Sequence, residues 1–286
     1  MQIWVIQTLN SLSLGGLLFM LSSGFALIFG LMRIANLTHG ALFMLGAYVA
    51  ATVVRAGYGL EVAAVVAMVV IAALGGLIER LILRRLAKNS QGQVLATLGL
   101  SFVAADVALM IWGGDPIPIE TPRLFLAPLR WHGLSFPTYR LVVLAMAVVL
   151  GLLLYLLIEK TRLGAMIRAG VDDMPMAQAA GIPASRIFTT VFCLGAGLAG
   201  LGGALGGPIL NAYPGLDGEM LPLALIVVIL GGVGSLAGTF IASFIVGFIY
   251  TFGIALMPDL AYVILFLPMV IVIAFRPRGL FGRVVT

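Results

Sequence analysis

The chain has little charge, one cysteine and few histidines. Only 9% of its 286 residues are charged, whereas a soluble globular domain carries about 25%. The single Cys193 excludes an intrachain disulfide and a cluster of metal-binding thiolates. His39 and His132 are the only histidines, and neither has a metal-ligating neighbour in sequence. We therefore predict no metal site, no bound cofactor and no catalytic residues.

A nucleotide-binding signature is also missing. Lys88 and Lys160 are the only lysines, and neither follows a glycine as a phosphate-binding loop requires. We therefore expect no ATP hydrolysis by this chain. The formal net charge of +5 does not indicate nucleic acid as a partner, because basic residues between membrane spans serve to set orientation.

Long apolar runs dominate what is present. Hydrophobic residues make up 62% of the chain, and the mean hydropathy is +1.18. A membrane helix needs about 20 apolar residues. Nine runs meet or approach that length, at approximately 5–31, 37–54, 62–82, 94–112, 140–158, 187–210, 219–235, 238–257 and 260–275. Glycines interrupt 37–54 and 219–257. There the sequence fits half-helices or re-entrant segments as well as it fits full crossings.

These runs predict an all-α polytopic membrane protein, with about eight to ten transmembrane or re-entrant helices. Residues 1–286 would form a single transmembrane domain. Two apolar runs end alike, at Leu77-Ile78-Glu79-Arg80 and at Leu157-Ile158-Glu159-Lys160. This match indicates a possible internal repeat, inverted or parallel, as is common in transporters.

The basic residues indicate the orientation. Eleven of them lie in three segments: Arg80, Arg84, Arg85 and Lys88; Lys160, Arg162, Arg168 and Arg186; and Arg276, Arg278 and Arg283. By the positive-inside rule these segments face the cytoplasm. The proline-rich loop 113–139 is then external, the loop 159–186 is cytoplasmic, and the C-terminus is cytoplasmic.

The polar loop 159–186 predicts a small helix of its own. Asp172 or Asp173 can cap this helix, Pro175 suits its first turn, and Gly181 followed by Pro183 can end it. A helix of about two turns is too short to persist in water, so it needs packing against another protein. Its apolar residues are expected to form a face that fits a groove on that protein: Met174, Met176, Ala179 and Ala180.

The segment 33–40 is the most polar stretch between apolar runs in the first half of the chain. It contains Asn36, Thr38 and His39. Polar groups at membrane depth need partners or a water-filled cavity. The segment therefore predicts either part of a translocation path or a simple turn capped by Asn36.

Small residues recur at four-residue spacing in two places. One row is Gly195, Ala199, Gly203 and Gly207, and the other is Gly234, Gly238 and Ala242. Such rows allow helices to approach closely inside lipid. We predict that both serve helix packing, and the alternative is a broken helix or a dimer seam.

Asp106 is the one carboxylate well inside an apolar run. It could relay protons or bind a cation, or it could lie near the outer interface or pair with a polar neighbour. A proton-coupled carrier usually has several such acids, so a single one argues against that class.

Four ordered motifs resemble one transporter family over almost the whole chain. They are residues 30–48 (GLMRIANLTHGALFMLGAY), 168–182 (RAGVDDMPMAQAAGI), 231–238 (GGVGSLAG) and 276–282 (RPRGLFG). The chain resembles the permease subunits of branched-chain amino acid ABC importers. The resemblance implies a multi-pass protein of a bacterial or archaeal cytoplasmic (inner) membrane. Related permeases carry urea or short-chain amides, and an ion-driven secondary transporter is a further alternative.

The resemblance also implies partners. These are the lipid bilayer, a homologous second permease, two cytoplasmic ATPase subunits and an extracytoplasmic solute-binding protein. Residues 172–182 would be the coupling helix that enters a cleft of the ATPase. The ATPase-coupling residues would be Asp172, Asp173, Met176, Gln178, Ala179, Ala180 and Gly181. The chain departs from the Glu-Ala-Ala loop of other importers, since it has Gln178-Ala179-Ala180-Gly181 instead.

Overall fold

The computed structural model describes residues 2–33, 35–87, 89–131, 134–276 and 279–281. Four residues used above, Lys88, His132, Arg278 and Arg283, lie outside the described residues, as does Ile34 in the 33–40 segment. Within the described part the α-helices are α1 Gln2–Met32, α2 His39–Arg55, α3 Leu60–Leu81, α4 Ser90–Trp112, α5 Thr138–Lys160, α6 Arg162–Asp172, α7 Met174–Ala179, α8 Ala184–Leu210, α9 Leu216–Gly231, α10 Leu236–Leu256 and α11 Ala261–Phe275.

Each of the nine apolar runs contains one helix, and the prediction of an all-α polytopic membrane protein is confirmed. In the described residues six helices are long and apolar enough to cross a membrane: α1, α3, α4, α5, α8 and α10. Of the two alternatives left open for 219–257, a full crossing fits α10, which has 21 residues. In contrast, α2 has 17 residues and α9 has 16, which is less than the roughly 20 needed to span a bilayer.

The two ends of the helix bundle differ. One end, called the α7 end below, carries α6 and α7. There Arg33 Nη2, just after α1, donates to the Val171 carbonyl over 3.4 Å. At the hairpin end, strands β1 Leu129–Trp131 and β2 Leu134–Phe136 pair antiparallel. This hairpin is a small exception to the all-α prediction. It lies in the proline-rich connection 113–139, where prolines prevent a regular helix.

The long helix α8 lies at the centre, packed on α1, α2 and α3. Glycines make these contacts close. A Cβ atom at Gly24 of α1 would overlap the carbonyl group of Gly195, and one at Gly203 would overlap the carbonyl oxygen of Phe43 in α2. Backbones at this distance gain dispersion contacts, which replace the hydrophobic effect inside lipid.

The two predicted rows of small residues have different environments. Gly195, Ala199, Gly203 and Gly207 are all buried on α8, where Gly207 packs on the Ile119 side chain. The second row is not one helix face. Gly234 lies in the turn before α10 and has a φ of 77°. Gly232 also has a positive φ, and this left-handed backbone ends α9. Gly238 is on α10 and packs against Gly231 of α9.

The repeat suggested by the two matched boundaries is not inverted. Glu79 near the end of α3 bonds Thr189 near the start of α8, and Glu159 at the end of α5 pairs with Arg168 of α6. Both boundaries therefore lie at the α7 end, whereas an inverted repeat would place them at opposite ends. Their surroundings also differ, because Glu79 is buried and Glu159 is exposed.

We expect Gly203→Ala to destabilise the bundle by about 2 kcal/mol, because the added methyl group must push α8 away from α2. Gly99→Ala in α4 is the matched control, since nothing lies within 4 Å of a Cβ at that position. The measurement is the midpoint of thermal unfolding of the detergent-purified chain. Equal midpoints for the two variants would contradict the close contact of α8 with α2.

Candidate functional site

The helix α2 begins in the middle of the bundle and not at its end. His39 Nε2 donates to the carbonyl oxygen of Leu21 in α1 over 2.9 Å. At about 1.5 Å per residue, Leu21 lies roughly 16 Å from the Met32 end of α1. An extended chain rises about 3.3 Å per residue. The segment between Met32 and His39 is therefore long enough to return from the end of α1 to the level of Leu21.

The non-helical segment is held against α4. Thr38 Oγ1 donates to the carbonyl oxygen of Thr97 over 2.9 Å, and the Leu37 N–H donates to Thr97 Oγ1 over 3.2 Å. The Asn36 side-chain oxygen accepts the Thr38 N–H over 3.2 Å. Asn36 therefore does form the turn that the sequence suggested. All three predicted polar residues, Asn36, Thr38 and His39, are buried.

Two polar atoms of this segment lack a partner in the described part of the chain, namely Asn36 Nδ2 and His39 Nδ1. Because a carbonyl only accepts, the bond to Leu21 requires the proton on Nε2, which leaves Nδ1 of a neutral ring as an acceptor. An unsatisfied buried polar group costs about 1–3 kcal/mol. Groups of this kind are usually completed by water or by a ligand. A turn alone does not explain them.

The first turn of α9 meets the start of α2. A Cβ atom at Gly40 would lie 2.6 Å from the Asp217 carbonyl oxygen, so the two backbones touch. Ser101 Oγ, at the middle of α4, donates to Asp217 Oδ2 over 3.3 Å. Asp217 is therefore also at mid-depth. The N-terminal ends of two short helices thus meet there, and each contributes a partial positive charge.

The first turn of α9 contributes two carboxylates near this depth. Asp217 is half-buried and Glu219 is exposed, and Glu219 accepts a hydrogen bond from Tyr213. Among the described residues neither carboxylate has an ion-pair partner. Ionised groups at the level of lipid chains are costly and normally face protein or a water-filled path. The site therefore combines carboxylates suited to a cation with an amide and an imidazole nitrogen suited to a polar solute.

The segment at the α7 end folds as two helices. Thr161 Oγ1 caps α6 by accepting the Gly164 N–H, and Asp173 Oδ1 caps α7 by accepting the Met176 N–H over 3.0 Å. Gly181 ends α7 with a φ of 85°. The Ile182 N–H then bonds the Ala177 carbonyl over 3.0 Å, which completes a Schellman motif.

Most predicted coupling residues lie on the exposed side of α7. Met176 is 66% exposed, and Gln178, Ala179, Ala180 and Gly181 are exposed as well. Of the two predicted caps, Asp173 caps α7, and Asp172 is the last residue of α6. The prediction is wrong for Met174, which packs inward against Gly170 because it occupies the face of α7 that meets α6.

An ion pair between the buried Glu79 and the exposed Arg84 joins the start of α8 to α3. Arg84 Nη2 donates to Glu79 Oε2 over 2.9 Å and to the Ser185 carbonyl over 3.1 Å, and Thr189 Oγ1 donates to Glu79 Oε2 over 2.7 Å. Glu79 is 2% exposed. Separating α8 from α3 would leave the buried Glu79 carboxylate without its partners, which is costly. Because α8 follows α7 directly, this clamp connects the α7 segment to the bundle.

Comparison with known proteins assigns the family. A profile described as branched-chain amino acid transport system / permease component matches residues 7–273. The chain belongs to this family. It is 27% identical to the high-affinity branched-chain amino acid transport system permease protein LivH of Escherichia coli K12, over 97% of this chain and 95% of that protein.

Other members of this permease family are similar over most of their length. The permease protein BraD of Pseudomonas aeruginosa is also 27% identical, over 97% of this chain and 95% of its own. A probable branched-chain amino acid transport permease protein LivH of Methanocaldococcus jannaschii is 26% identical, over 81% of this chain and 75% of its own. No solved structure matches the chain significantly.

Several residues of this permease were missed by sequence reasoning. Asp217 and Glu219 lie at the edge of the apolar run 219–235, and no role was predicted for them. Arg84 was interpreted only as a charge that sets orientation. The sequence did contain one signal for the first pair, since two acids in a first helical turn match the positive end of a helix. Nothing in the sequence placed that turn beside Gly40.

Proposed function

We propose that this chain is the membrane-spanning permease subunit of an ATP-driven importer for branched-chain or related small neutral amino acids. The observation that carries the proposal is the polar site at mid-depth, where α2 and α9 begin. Broken helices whose N-terminal ends meet at the midplane form substrate sites in other transporters. Asp217 and Glu219 suit the ammonium group of an amino acid, and the helix N-terminal ends suit its carboxylate.

The α7 end faces the cytoplasm in this proposal. Arg80, Arg84, Arg85, Lys160, Arg162, Arg168, Arg186 and Arg276 all belong to that end. This grouping supports the orientation by the positive-inside rule, with the C-terminus cytoplasmic. The connection 113–139 is then external and available to a solute-binding protein. The fold thus supports a multi-pass protein of a bacterial or archaeal inner membrane.

The proposed assembly contains a homologous second permease and two ATPase subunits. The exposed Glu219 of α9 supports the second permease, because a facing protein would shield its carboxylate from lipid. The exposed side of α7 supports the ATPases, because Met176 there is 66% exposed and a docked subunit would cover it. The clamp of Glu79 and Arg84 would carry movement of α7 into the bundle.

Reconstitution in vesicles tests this function. The chain would be assembled with its second permease, ATPases and solute-binding protein, and uptake of labelled leucine would be measured with and without ATP. We expect uptake only with ATP, and competition by isoleucine and valine. Competition by urea or acetamide alone would assign the related urea or amide function instead.

One observation favours an ion-driven carrier as a second candidate. The structure places Asp217 and Glu219 at membrane depth in addition to the exposed Asp106 of α4, whereas the sequence indicated a single acid. Several acids at membrane depth are typical of proton-coupled transport. Uptake driven by a proton gradient in vesicles that lack ATP would establish this function and exclude the first.

We expect the purified chain to hydrolyse no ATP, because its sequence lacks a glycine-rich phosphate-binding loop. The measurement is phosphate release by the chain alone and by the assembled complex, with both in the same lipid. Turnover by the chain alone, at a rate comparable to that of the complex, would contradict the assignment as a permease subunit.

A further inference from the structure

A cavity of about 590 Å³ lies near the α7 end, away from the mid-depth site. Its walls come from α1, α5, α6, α9, α10 and α11 and from the turn between α9 and α10. Four charged side chains line it: Arg33, Glu159, Arg168 and Asp172. Arg168 pairs with Glu159 over 3.4 Å, and Arg33 contacts only the Val171 carbonyl over 3.4 Å in the described part of the chain.

The cavity is polar at one end and apolar at the other. Arg33 and Asp172 lie where α1 and α6 end, whereas Ala26 and Leu27 line the cavity deeper in the bundle. At about 1.5 Å per residue, Ala26 lies roughly 9 Å from the Met32 end of α1. This depth corresponds to the step from lipid headgroups to acyl chains. The cavity therefore has the shape and polarity of an amphiphile of the bilayer.

We propose that this cavity binds a phospholipid whose headgroup carries both a phosphate and an ammonium group. The guanidinium groups of Arg33 and Arg168 suit the phosphate. The carboxylates of Glu159 and Asp172 suit the ammonium group, and they disfavour a lipid that carries only negative charge. One acyl chain would lie along the apolar part.

The bilayer has access to two walls of the cavity. One cavity-lining side chain on each of two helices is also exposed, namely Tyr155 of α5 at 53% and Ile273 of α11 at 42%. The helix α11 packs on α9 and α10, and α5 packs on α1 and α6. A lipid of the surrounding leaflet can therefore reach the space between them. A free amino acid has the same charge pattern but leaves the apolar part unfilled.

The bound lipid would hold α6 in place. Ile167, Arg168 and Val171 of α6 form one wall of the cavity, and α7 follows after Asp173. A lipid there braces α6 against α1 and α10. An effect on coupling rests on the proposed function, whereas binding of the lipid does not.

The test measures the lipid retained by the purified chain. The chain is exchanged into detergent with equal amounts of phosphatidylethanolamine and phosphatidylglycerol, and native mass spectrometry counts the lipids that remain. Wild type is expected to keep about one phosphatidylethanolamine. Ala237→Phe fills the cavity and Arg33→Gln removes a phosphate partner, so each should lower retention about fivefold or more.

Matched controls change the same residue types elsewhere. Ala255→Phe changes an exposed alanine at the hairpin end of α10, and Arg85→Gln removes an exposed arginine. Neither residue lines the cavity. Both should retain lipid as wild type does, and the thermal unfolding midpoint shows that all variants are folded. Equal retention in every folded variant would overturn the proposal, as would preference for phosphatidylglycerol. Displacement of the lipid by millimolar leucine would assign the cavity to a free amino acid and also overturn it.

Discussion

Asp217→Asn is expected to lower ATP-dependent leucine uptake about tenfold to a hundredfold, because a hydrogen bond to a charged group contributes about 1.5–3 kcal/mol. The asparagine keeps the size of the side chain and can still accept the bond from Ser101. The change therefore removes the negative charge and little else. Uptake is measured in vesicles that contain the assembled complex.

The matched control for this prediction is Asp115→Asn. Asp115 is exposed in the connection at the hairpin end, so the same chemical change there should leave uptake within about twofold of wild type. Equal uptake by Asp217→Asn and wild type would show that the charge at the start of α9 does not recognise the solute. Loss of uptake in both variants would indicate a general effect of net charge.

Variants of the 33–40 segment test the other half of the same site. Asn36→Leu and His39→Leu should impair uptake while the complex still assembles, because each removes a buried polar atom that lacks a partner in the described residues. Assembly is checked by co-purification of the subunits. If both variants transport normally, the segment serves only as a turn that starts α2.

Gly181→Val is expected to abolish most coupling between ATP hydrolysis and uptake. Gly181 has a φ of 85°, where a β-branched residue is strained although nothing lies within 4 Å of its Cβ. The end of α7 should therefore refold and point the chain toward α8 differently. Gly181→Asn is the control, because asparagine adopts this conformation readily. The measurements are co-purification with the ATPases and uptake per ATP hydrolysed.

Added charge on α7 tests the docking surface without backbone strain. Ala179→Arg places a bulky cation on the exposed side, so the bundle should fold normally while ATPase docking is weakened. Ala87→Arg makes the same change in the other basic segment of the α7 end, where Ala87 is also exposed. We expect loss of docking only in the first variant. Loss of docking only in Ala87→Arg would show that the coupling contact lies in the 80–88 segment.

Local chemistry made much of this fold predictable. Each apolar run became a helix because a chain in lipid must satisfy its backbone groups within the helix. The limits of α7 followed in the same way, since the Asp173 cap and the Gly181 end depend on residues within one turn. Met174 shows where this reasoning fails. Its inward packing depends on Gly170 of the preceding helix and not on the local pattern.

The sequence by itself determined the class of protein, the nine apolar helices and the small helix α7, because apolar length, charge and caps act over a few residues. Only the tertiary structure decided the depth at which α2 and α9 begin. That depth depends on His39 bonding Leu21 and on Ser101 bonding Asp217 across 116 positions. The tertiary structure also decided the contact of Gly24 with Gly195. Pairings between distant positions leave no periodic pattern in the sequence, because they depend on how whole helices pack.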